Sequence, residues 1–145
     1  MIGVTDTDGD CAEWSFPAVP GSVRSARHAV RDALHHWGYD VAVGDLAVLL
    51  VSELVTNSLR YASGPIGVRL VRPHPDGDAP GPDAEGRALL VEVSDPVPDP
   101  PTERSAGPED ESGRGLQLVA CSARRWGTRR GKSGKTVWFE LALPG

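Results

Sequence analysis

The sequence predicts an α+β fold, a two-layer sandwich in which three helices pack on one face of a mostly antiparallel mixed sheet. Two kinds of segment support this: some repeat apolar residues at helical spacing, and others alternate polar and apolar residues as half-buried strands do. They follow one another as strand, two helices, hairpin, long loop, helix and hairpin. Hairpins pair antiparallel strands, and a sheet with one apolar face needs helices to cover that face.

The 145 residues are most simply one domain. We expect a disordered tail over residues 1–11, which are mostly polar, and a single domain over residues 12–145. The stretch at about 96–113 holds five prolines and almost no apolar residues, so we predict that it is a lid loop. Residues 73–86 form a second long loop, rich in proline, glycine and aspartate.

The domain begins with a short strand and a first helix. Residues 13–16 alternate as a strand does, and residues 23–37 place apolar side chains on one helical face. Ser22 is the predicted N-cap of this helix, because its hydroxyl can accept a hydrogen bond from a backbone N–H of the first turn. Gly38 ends the helix.

The second helix, around residues 46–62, carries two polar residues beside its apolar face. Its core stripe is predicted to include Leu46, Leu49, Leu50, Leu54 and Tyr61. Glu53 and Asn57 stand one turn apart and continue the line of that stripe. They are explained either by a local hydrogen bond at a half-exposed rim or by a polyphosphate site. In such a site Asn57 offers an oxygen to Mg²⁺ and Glu53 accepts a proton from a nucleophile.

The remaining elements are a hairpin, a helix and a second hairpin. The first hairpin joins residues 66–71 to residues 88–94, and the third helix spans residues 115–123 with Leu116, Val119 and Ala120 on its apolar face. Strands at 125–129 and 136–143 flank a turn at 131–134. In the last strand, alternation puts Lys135 on the face of the apolar residues Val137 and Phe139, and Thr136 on the other face.

Two further polar sites lie at the ends of elements. Asp95 follows a strand and precedes Pro96, so it is either a turn former or an acceptor on a pocket floor for an exocyclic amine such as that of adenine. Gly113, Arg114, Gly115 and Leu116 lead into the third helix. Glycine-rich turns at helix N-termini expose backbone N–H groups that suit phosphate.

In this order along the chain, the three polar sites resemble the Bergerat nucleotide-binding signature of gyrase, the bacterial histidine kinases and MutL. The closer similarity is to the bacterial anti-sigma factor serine kinases and their stand-alone regulatory relatives, and it covers the chain from Trp14 to Leu143. The phrases that carry it are Ser52-Glu53-Leu54-Val55-Thr56-Asn57, Val93-Ser94-Asp95-Pro96, Gly113-Arg114-Gly115-Leu116 and Gly134-Lys135-Thr136-Val137-Trp138.

The resemblance implies the Bergerat ATP-binding fold, with ATP or ADP and Mg²⁺ as ligands. It implies that Asn57 coordinates the Mg²⁺ and that Glu53 is the catalytic base that activates a serine hydroxyl. Asp95 would contact adenine. The phosphates would be held by Gly113, Arg114, Gly115 and Leu116.

The resemblance also implies a function and protein partners. The chain would be a protein serine/threonine kinase that phosphorylates an anti-sigma-factor antagonist and sequesters a sigma factor in a partner switch. The alternative is a catalytically weak or inactive nucleotide-binding module that acts by sequestration only. Two departures favour the alternative: Val97 and Asp99 replace glycines of many relatives, and Lys135 replaces a frequent threonine. The intact pair of Glu53 and Asn57 favours the kinase. The resemblance leaves open whether the protein forms a homodimer.

Composition bears on partners and location. A net charge of −5 argues against general affinity for nucleic acid, so we expect no direct nucleic-acid partner. Two cysteines are too few for a disulfide framework, which fits a cytoplasmic location. Residues 1–10 do not read as a signal peptide, and we expect no run long enough to span a bilayer and no membrane partner.

The end of the chain invites two other interpretations. The segments 131–133 and 134–136 each resemble the close of a Walker motif, but the required glycine five residues earlier is absent in both cases. A basic cluster is formed by Arg124, Arg125, Arg129, Arg130, Lys132 and Lys135. In an acidic chain, we interpret it as a solvated hairpin or a patch for an acidic protein rather than a nucleic-acid surface.

Overall fold

The computed structural model describes residues 11–61, 64–73, 88–96, 111–131 and 134–143. The elements are β1 (Cys11–Phe16), α1 (Gly21–His36), α2 (Val41–Tyr61), β2 (Ile66–Val71), β3 (Ala88–Asp95), α3 (Glu111–Ser122), β4 (Arg125–Gly131) and β5 (Gly134–Ala142).

The five strands form one sheet in the order β1-β2-β3-β5-β4, and the pairs of neighbouring described strands are all antiparallel. Residue 95 pairs with residue 135 across β3 and β5, and residue 131 pairs with residue 134 at the turn between β4 and β5. The predicted fold class, with helices on one face of the sheet, is confirmed.

The core lies between the sheet and the helices. α2 is the central helix: it packs on β2, β3 and β5 and has α1 and α3 as neighbours. The strands bury alternate residues against it, so one face of the sheet is apolar and the opposite face carries polar and charged side chains. The largest fully buried side chains include Phe16, Leu34, Leu50, Ile66, Leu70, Leu89 and Phe139.

The first two helices differ in how their N-termini are capped. At α2, Asp40 caps the helix, because its Oδ1 accepts a 3.0 Å hydrogen bond from the backbone N–H of Val43. At α1, the predicted N-cap was wrong. The N-cap is Pro20, and Ser22 is buried as the second helical residue with its hydroxyl donating to the carbonyl of Pro17.

Two boundary expectations change, and others lie outside the described residues. Cys11 belongs to β1, where it pairs with Val71, rather than to the tail. α3 begins at Glu111, inside the predicted lid and four residues before the expected start at Gly115. The rest of the tail, residues 74–87 of the first hairpin loop and residues 97–110 of the lid lie outside the described residues, so the departures at Val97 and Asp99 do too.

Two predicted core residues lie on solvent-facing sides. Leu49 is 44% exposed, because it shares the outer side of α2 with Asp45 and Thr56 rather than the side that meets the sheet. Ala120 is exposed on α3, where Val119 is the fully buried residue. In both helices the predicted stripe was wider than the face that is covered.

The apolar character of α2 also tests the expectation that no segment of the chain is long enough to span a bilayer. The segment Val41–Arg60 has the length and the mean hydropathy, 1.5, of a membrane span, so the expectation that no run approaches that length was wrong. The central helix of a two-layer core meets the same criterion, because it buries apolar residues against both the sheet and its neighbouring helices.

Candidate functional site

The C-terminal half of α2 meets the end of β3 through a buried hydrogen bond. The hydroxyl of Ser58 donates to Oδ2 of Asp95 over 3.0 Å, and both residues are buried. Ser58 stands on the side of α2 that faces the sheet, where Leu54 and Val55 precede it. The bond therefore fixes the Asp95 carboxylate on the helix-covered face, at the point where the strand ends.

Lys135 lies beside the same carboxylate. The register pairs Asp95 with Lys135, so both side chains emerge on the same face of neighbouring strands. The Nζ of Lys135 is 4.0 Å from Oδ2 of Asp95. The predicted orientation of Lys135 is confirmed, because Thr136 bonds to Ser94 on the opposite face with 2.7 Å between their hydroxyl oxygens.

Glu53 and Asn57 lie next to this junction on α2. Asn57 immediately precedes Ser58, and Glu53 comes one turn earlier, about 6 Å along the helix axis. Both are half-buried, as expected for residues that flank the core face. The fold thus brings the stretch that contains Asn57 against the strand that ends in Asp95, although the two are 38 residues apart in the chain.

The backbone around Asp95 is closely packed. A Cβ added at Gly134 would lie 2.1 Å from the carbonyl oxygen of Asp95, and Gly134 has φ of +154°. A Cβ at Gly64 would lie 2.9 Å from the ring of Pro96. Glycine at these two positions allows the start of β5 and the segment between α2 and β2 to approach the end of β3.

The segment Gly113–Leu116 lies in the first turns of α3 rather than in a loop before it. The first four backbone N–H groups of a helix have no partner within it, so those of residues 111–114 are available at the helix start. Of the residues that the sequence assigned to phosphate, Gly113 and Arg114 are among these four, whereas Gly115 and Leu116 lie further along the helix, where backbone N–H groups bond within it.

A cleft of about 370 Å³ opens beside the Asp95 and Lys135 pair. Among the described residues its lining is Ser94, Asp95, Arg129, Arg130, Gly131, Gly134, Lys135 and Thr136. Its volume lies within the range of small-ligand sites. Its described lining comes from three strands and includes neither Glu53 nor Asn57, which lie on the neighbouring helix.

The uncovered face of the sheet holds a ladder of ion pairs. Glu92 accepts hydrogen bonds from Arg69 at 3.0 Å and from Arg129 at 2.7 Å. Burial works to raise the pKa of Glu92, but the hydrogen bonds from Arg129 and Arg69 outweigh it, so the pKa is lowered from 4.5.

A second group of ion pairs on this face accounts for two more arginines. Arg125 and Arg124 both bind Glu140, at 3.1 and 3.3 Å, and lower its pKa against the opposing effect of burial. Four members of the predicted basic cluster, including Arg129 and Lys135, therefore have a carboxylate within 4.0 Å. These four cations are paired within the fold, a role that the sequence analysis did not assign to the cluster.

A metal ion at this site would need ligands other than a cluster of histidine, cysteine, aspartate or glutamate side chains. The described ranges contain no group of three or more histidine, cysteine, aspartate or glutamate residues that could hold one. Mg²⁺ commonly binds through one or two protein oxygens together with substrate phosphates. Asn57, half-buried beside the junction, fits that mode of binding.

The sequence model of the histidine kinase-like ATPase domain matches residues 16–141, nearly the whole described fold and all the polar sites above. The chain belongs to the histidine kinase-like ATPase domain family. No protein of curated function shows significant similarity to it.

A solved structure shows the same fold. The crystal structure of the RsbU and RsbW domains of Rv1364c from Mycobacterium tuberculosis superposes with a TM-score of 0.65 at 19% sequence identity. The match covers 92% of this chain and 32% of that chain, so this family member spans about one third of that protein's resolved length.

Ser58 is the site residue that sequence reasoning missed. It is a polar residue at a core-facing position, one turn after Leu54, and buried polar side chains require a partner. That signal was present in the helical pattern. The identity of its partner was not, because Asp95 lies 37 residues further along the chain.

Proposed function

We propose that residues 12–145 of this family member form a single ATP-binding regulatory domain that acts as a protein serine/threonine kinase and anti-sigma factor. It would phosphorylate an anti-sigma-factor antagonist and sequester a sigma factor in a partner switch. The observation that carries the proposal is the Ser58–Asp95 hydrogen bond, because it joins the helix of Glu53 and Asn57 to the strand-end carboxylate.

In this proposal each side chain has a role suited to its chemistry. Asp95, buried and held by Ser58, accepts a hydrogen bond from the base. Asn57 holds the metal ion through its amide oxygen, and Glu53, one turn earlier, takes the proton of a serine hydroxyl on the protein substrate. Bound Mg²⁺ supplies charge neutralisation at the phosphates. Phosphoryl transfer needs mainly alignment and electrostatic stabilisation, so this small set is sufficient.

The start of α3 supplies the remaining contacts in this proposal. Backbone N–H groups of Gly113 and Arg114 and the positive end of the helix dipole would bind the β- and γ-phosphates, and Gly115 is the next residue of the helix. Leu116 follows within the same helix.

A second candidate function is nucleotide-dependent or nucleotide-independent sequestration without catalysis. The observation that favours it is the position of Lys135, whose Nζ is 4.0 Å from Oδ2 of Asp95. An ammonium group beside the carboxylate alters the hydrogen bond that the carboxylate can accept from adenine. In this case Glu53 would have no catalytic role, and binding of a sigma factor or an antagonist would be the whole activity.

Nucleotide binding is tested by thermal unfolding with and without Mg-ATP. At about 100 times its Kd a ligand stabilises the fold by roughly 2.7 kcal/mol, so Tm should rise. Asn57→Ala and Asp95→Asn should remove that rise, whereas Asp45→Asn, on the exposed side of α2, should keep it. An equal rise in wild type and Asn57→Ala would contradict the assigned site.

Catalysis is tested by transfer of labelled phosphate to a candidate antagonist. Glu53→Gln should retain the Mg-ATP stabilisation and lose transfer, because it keeps the shape of the side chain and removes the base. Glu13→Gln on the exposed side of β1 is the control and should transfer normally. Binding without transfer in wild type would leave the sequestration function.

A further inference from the structure

We propose that the outer edge of β4 is a docking site for an extended acidic segment of a partner protein, which pairs with β4 as an added strand. The site goes beyond the proposed function, because it needs neither nucleotide nor any residue assigned to nucleotide binding. Three features of β4 carry it: a backbone edge without a neighbouring strand, an excess of positive charge, and an exposed indole.

The backbone of β4 presents hydrogen-bonding groups at the edge of the sheet. β4 is a terminal strand, so one of its edges has no neighbouring strand among the described residues. Gly131 and Gly134 lie opposite each other with two residues between them, and such a closing pair of a hairpin is hydrogen-bonded. Hydrogen-bonded and non-hydrogen-bonded pairs then alternate along the strand. The N–H and C=O groups of Trp126, Thr128 and Arg130 therefore point away from β5, and all three residues are exposed.

The strand carries more positive charge than the fold neutralises. β4 contains three arginines and no acidic residue. Arg125 and Arg129 emerge on the uncovered face of the sheet, with side chains that are 67% and 59% exposed. Each binds a carboxylate, Glu140 and Glu92 respectively, that a second arginine also binds, so positive charge remains in excess along β4. Opposite charges on neighbouring strands stabilise their pairing and like charges oppose it, so the strand that fits this edge is acidic.

Charge also selects the edge and excludes a second copy of this chain. The other terminal strand, β1, holds Glu13 and no basic residue, so it opposes the acidic segment that β4 attracts. Two copies pairing through β4 would bring the arginines of both strands together. Charged side chains on edge strands deter unwanted pairing, and those of β4 deter a basic strand while they attract an acidic one.

The faces of β4 specify the residue pattern of the segment. Arg125 and Arg129 are four residues apart, about 13 Å along a strand. Trp126 lies opposite Phe139, on the helix-covered face, and is 38% exposed. Because side chains of an added strand alternate between the same two faces, acidic residues at every second position would lie beside the arginines. Apolar residues between them would contact the Trp126 indole.

The test is fluorescence-anisotropy titration of labelled seven-residue peptides with the full chain in the absence of nucleotide. The alternating peptide EVEVEVE should bind and KVKVKVK should not. EEEEVVV has the composition of the first peptide without its alternation and should bind about tenfold more weakly, because strand addition needs alternate side chains on alternate faces. Thr128→Pro removes an outward N–H and no bond to β5, so it should weaken EVEVEVE by about tenfold or more. Thr128→Val keeps that N–H and is the matched control, which should bind as wild type does.

Amide hydrogen exchange of wild type with EVEVEVE tests the edge even if Thr128→Pro does not fold. The N–H groups of Trp126, Thr128 and Arg130 should exchange more slowly, whereas those of Gly127 and Arg129, which face β5, should not change. The inference is overturned by absence of binding, by equal binding of EVEVEVE and EEEEVVV, by full binding to Thr128→Pro, or by unchanged exchange at the three outward groups. Self-association that Thr128→Pro abolishes would assign the edge to a second copy and also overturn it. None of these outcomes affects stabilisation by Mg-ATP, so the proposed function is tested separately.

Discussion

The Ser58 hydroxyl donates to the buried Asp95 carboxylate across 3.0 Å, and this bond connects two parts of the candidate site that are 37 residues apart in the chain. A buried carboxylate is costly without hydrogen bonds. Ser58 therefore stabilises the fold and at the same time orients the group proposed to contact the base. Stability and binding are linked at this residue.

Replacing Ser58 tests that link. Ser58→Ala removes a donor to a buried carboxylate and should lower the free energy of unfolding by about 1–2 kcal/mol, measured by urea denaturation. It should also weaken nucleotide binding. Ser52→Ala is the control: the Ser52 hydroxyl bonds to the Leu49 carbonyl on an exposed part of the same helix, so little change is expected. Equal losses in both variants would contradict the role of Ser58.

Gly134 is expected to tolerate no side chain. In Gly134→Ala the Cβ would lie 2.1 Å from the Asp95 carbonyl oxygen in a backbone conformation that alanine rarely adopts. We expect a loss of about 2 kcal/mol or more in the free energy of unfolding. Gly131→Ala, in the residue that pairs with Gly134, has no atom within 4 Å of its Cβ and should be near neutral. A stable Gly134→Ala protein would show that the hairpin can shift away from β3.

Gly127 makes room for the indole of Trp138. A Cβ at Gly127 would lie 2.9 Å from Cζ2 and Nε1 of that ring, so Gly127→Ala should destabilise the fold by about 1–3 kcal/mol and change tryptophan fluorescence. Gly44→Ala is the contrasting variant. It lies in α2 with open space around its Cβ and should stabilise by about 0.5–1 kcal/mol. If Gly127→Ala gained as much stability as Gly44→Ala, the Trp138 indole would have to be free to move away from the added methyl group.

Acid should weaken the ion pairs of the uncovered sheet face. The folded pKa of Glu92 is below 4.5, so its contribution to stability is present above pH 4.5 and is lost as the pH falls through the folded value. Glu92→Gln should be less stable than wild type by about 1–2 kcal/mol at pH 7, and the difference should shrink toward pH 3. Urea denaturation at several pH values measures this. A constant difference for Glu92→Gln would contradict the pairing.

Much of the fold follows from local patterns in the sequence. The strand Ile66–Val71 has the predicted bounds, and α2 ends where the sequence places its stop. Local errors arose where a neighbouring element decides the outcome. Leu49 has the hydrophobicity of a core residue, yet the sheet and the two flanking helices cover the other sides of α2. Ser22 has the chemistry of a cap, but the helix starts earlier and its hydroxyl binds the Pro17 carbonyl.

The sequence by itself determined which stretches become helices and strands, the face on which Lys135 emerges, and the chemical types of the site residues, because periodicity and side-chain chemistry are local properties. Only the tertiary structure decided which distant groups meet: Ser58 with Asp95, and Lys135 with the same carboxylate. The physical reason is register. The pairing of β3 with β5 and the height of α2 above the sheet are set by packing of the whole core, and no single segment encodes them.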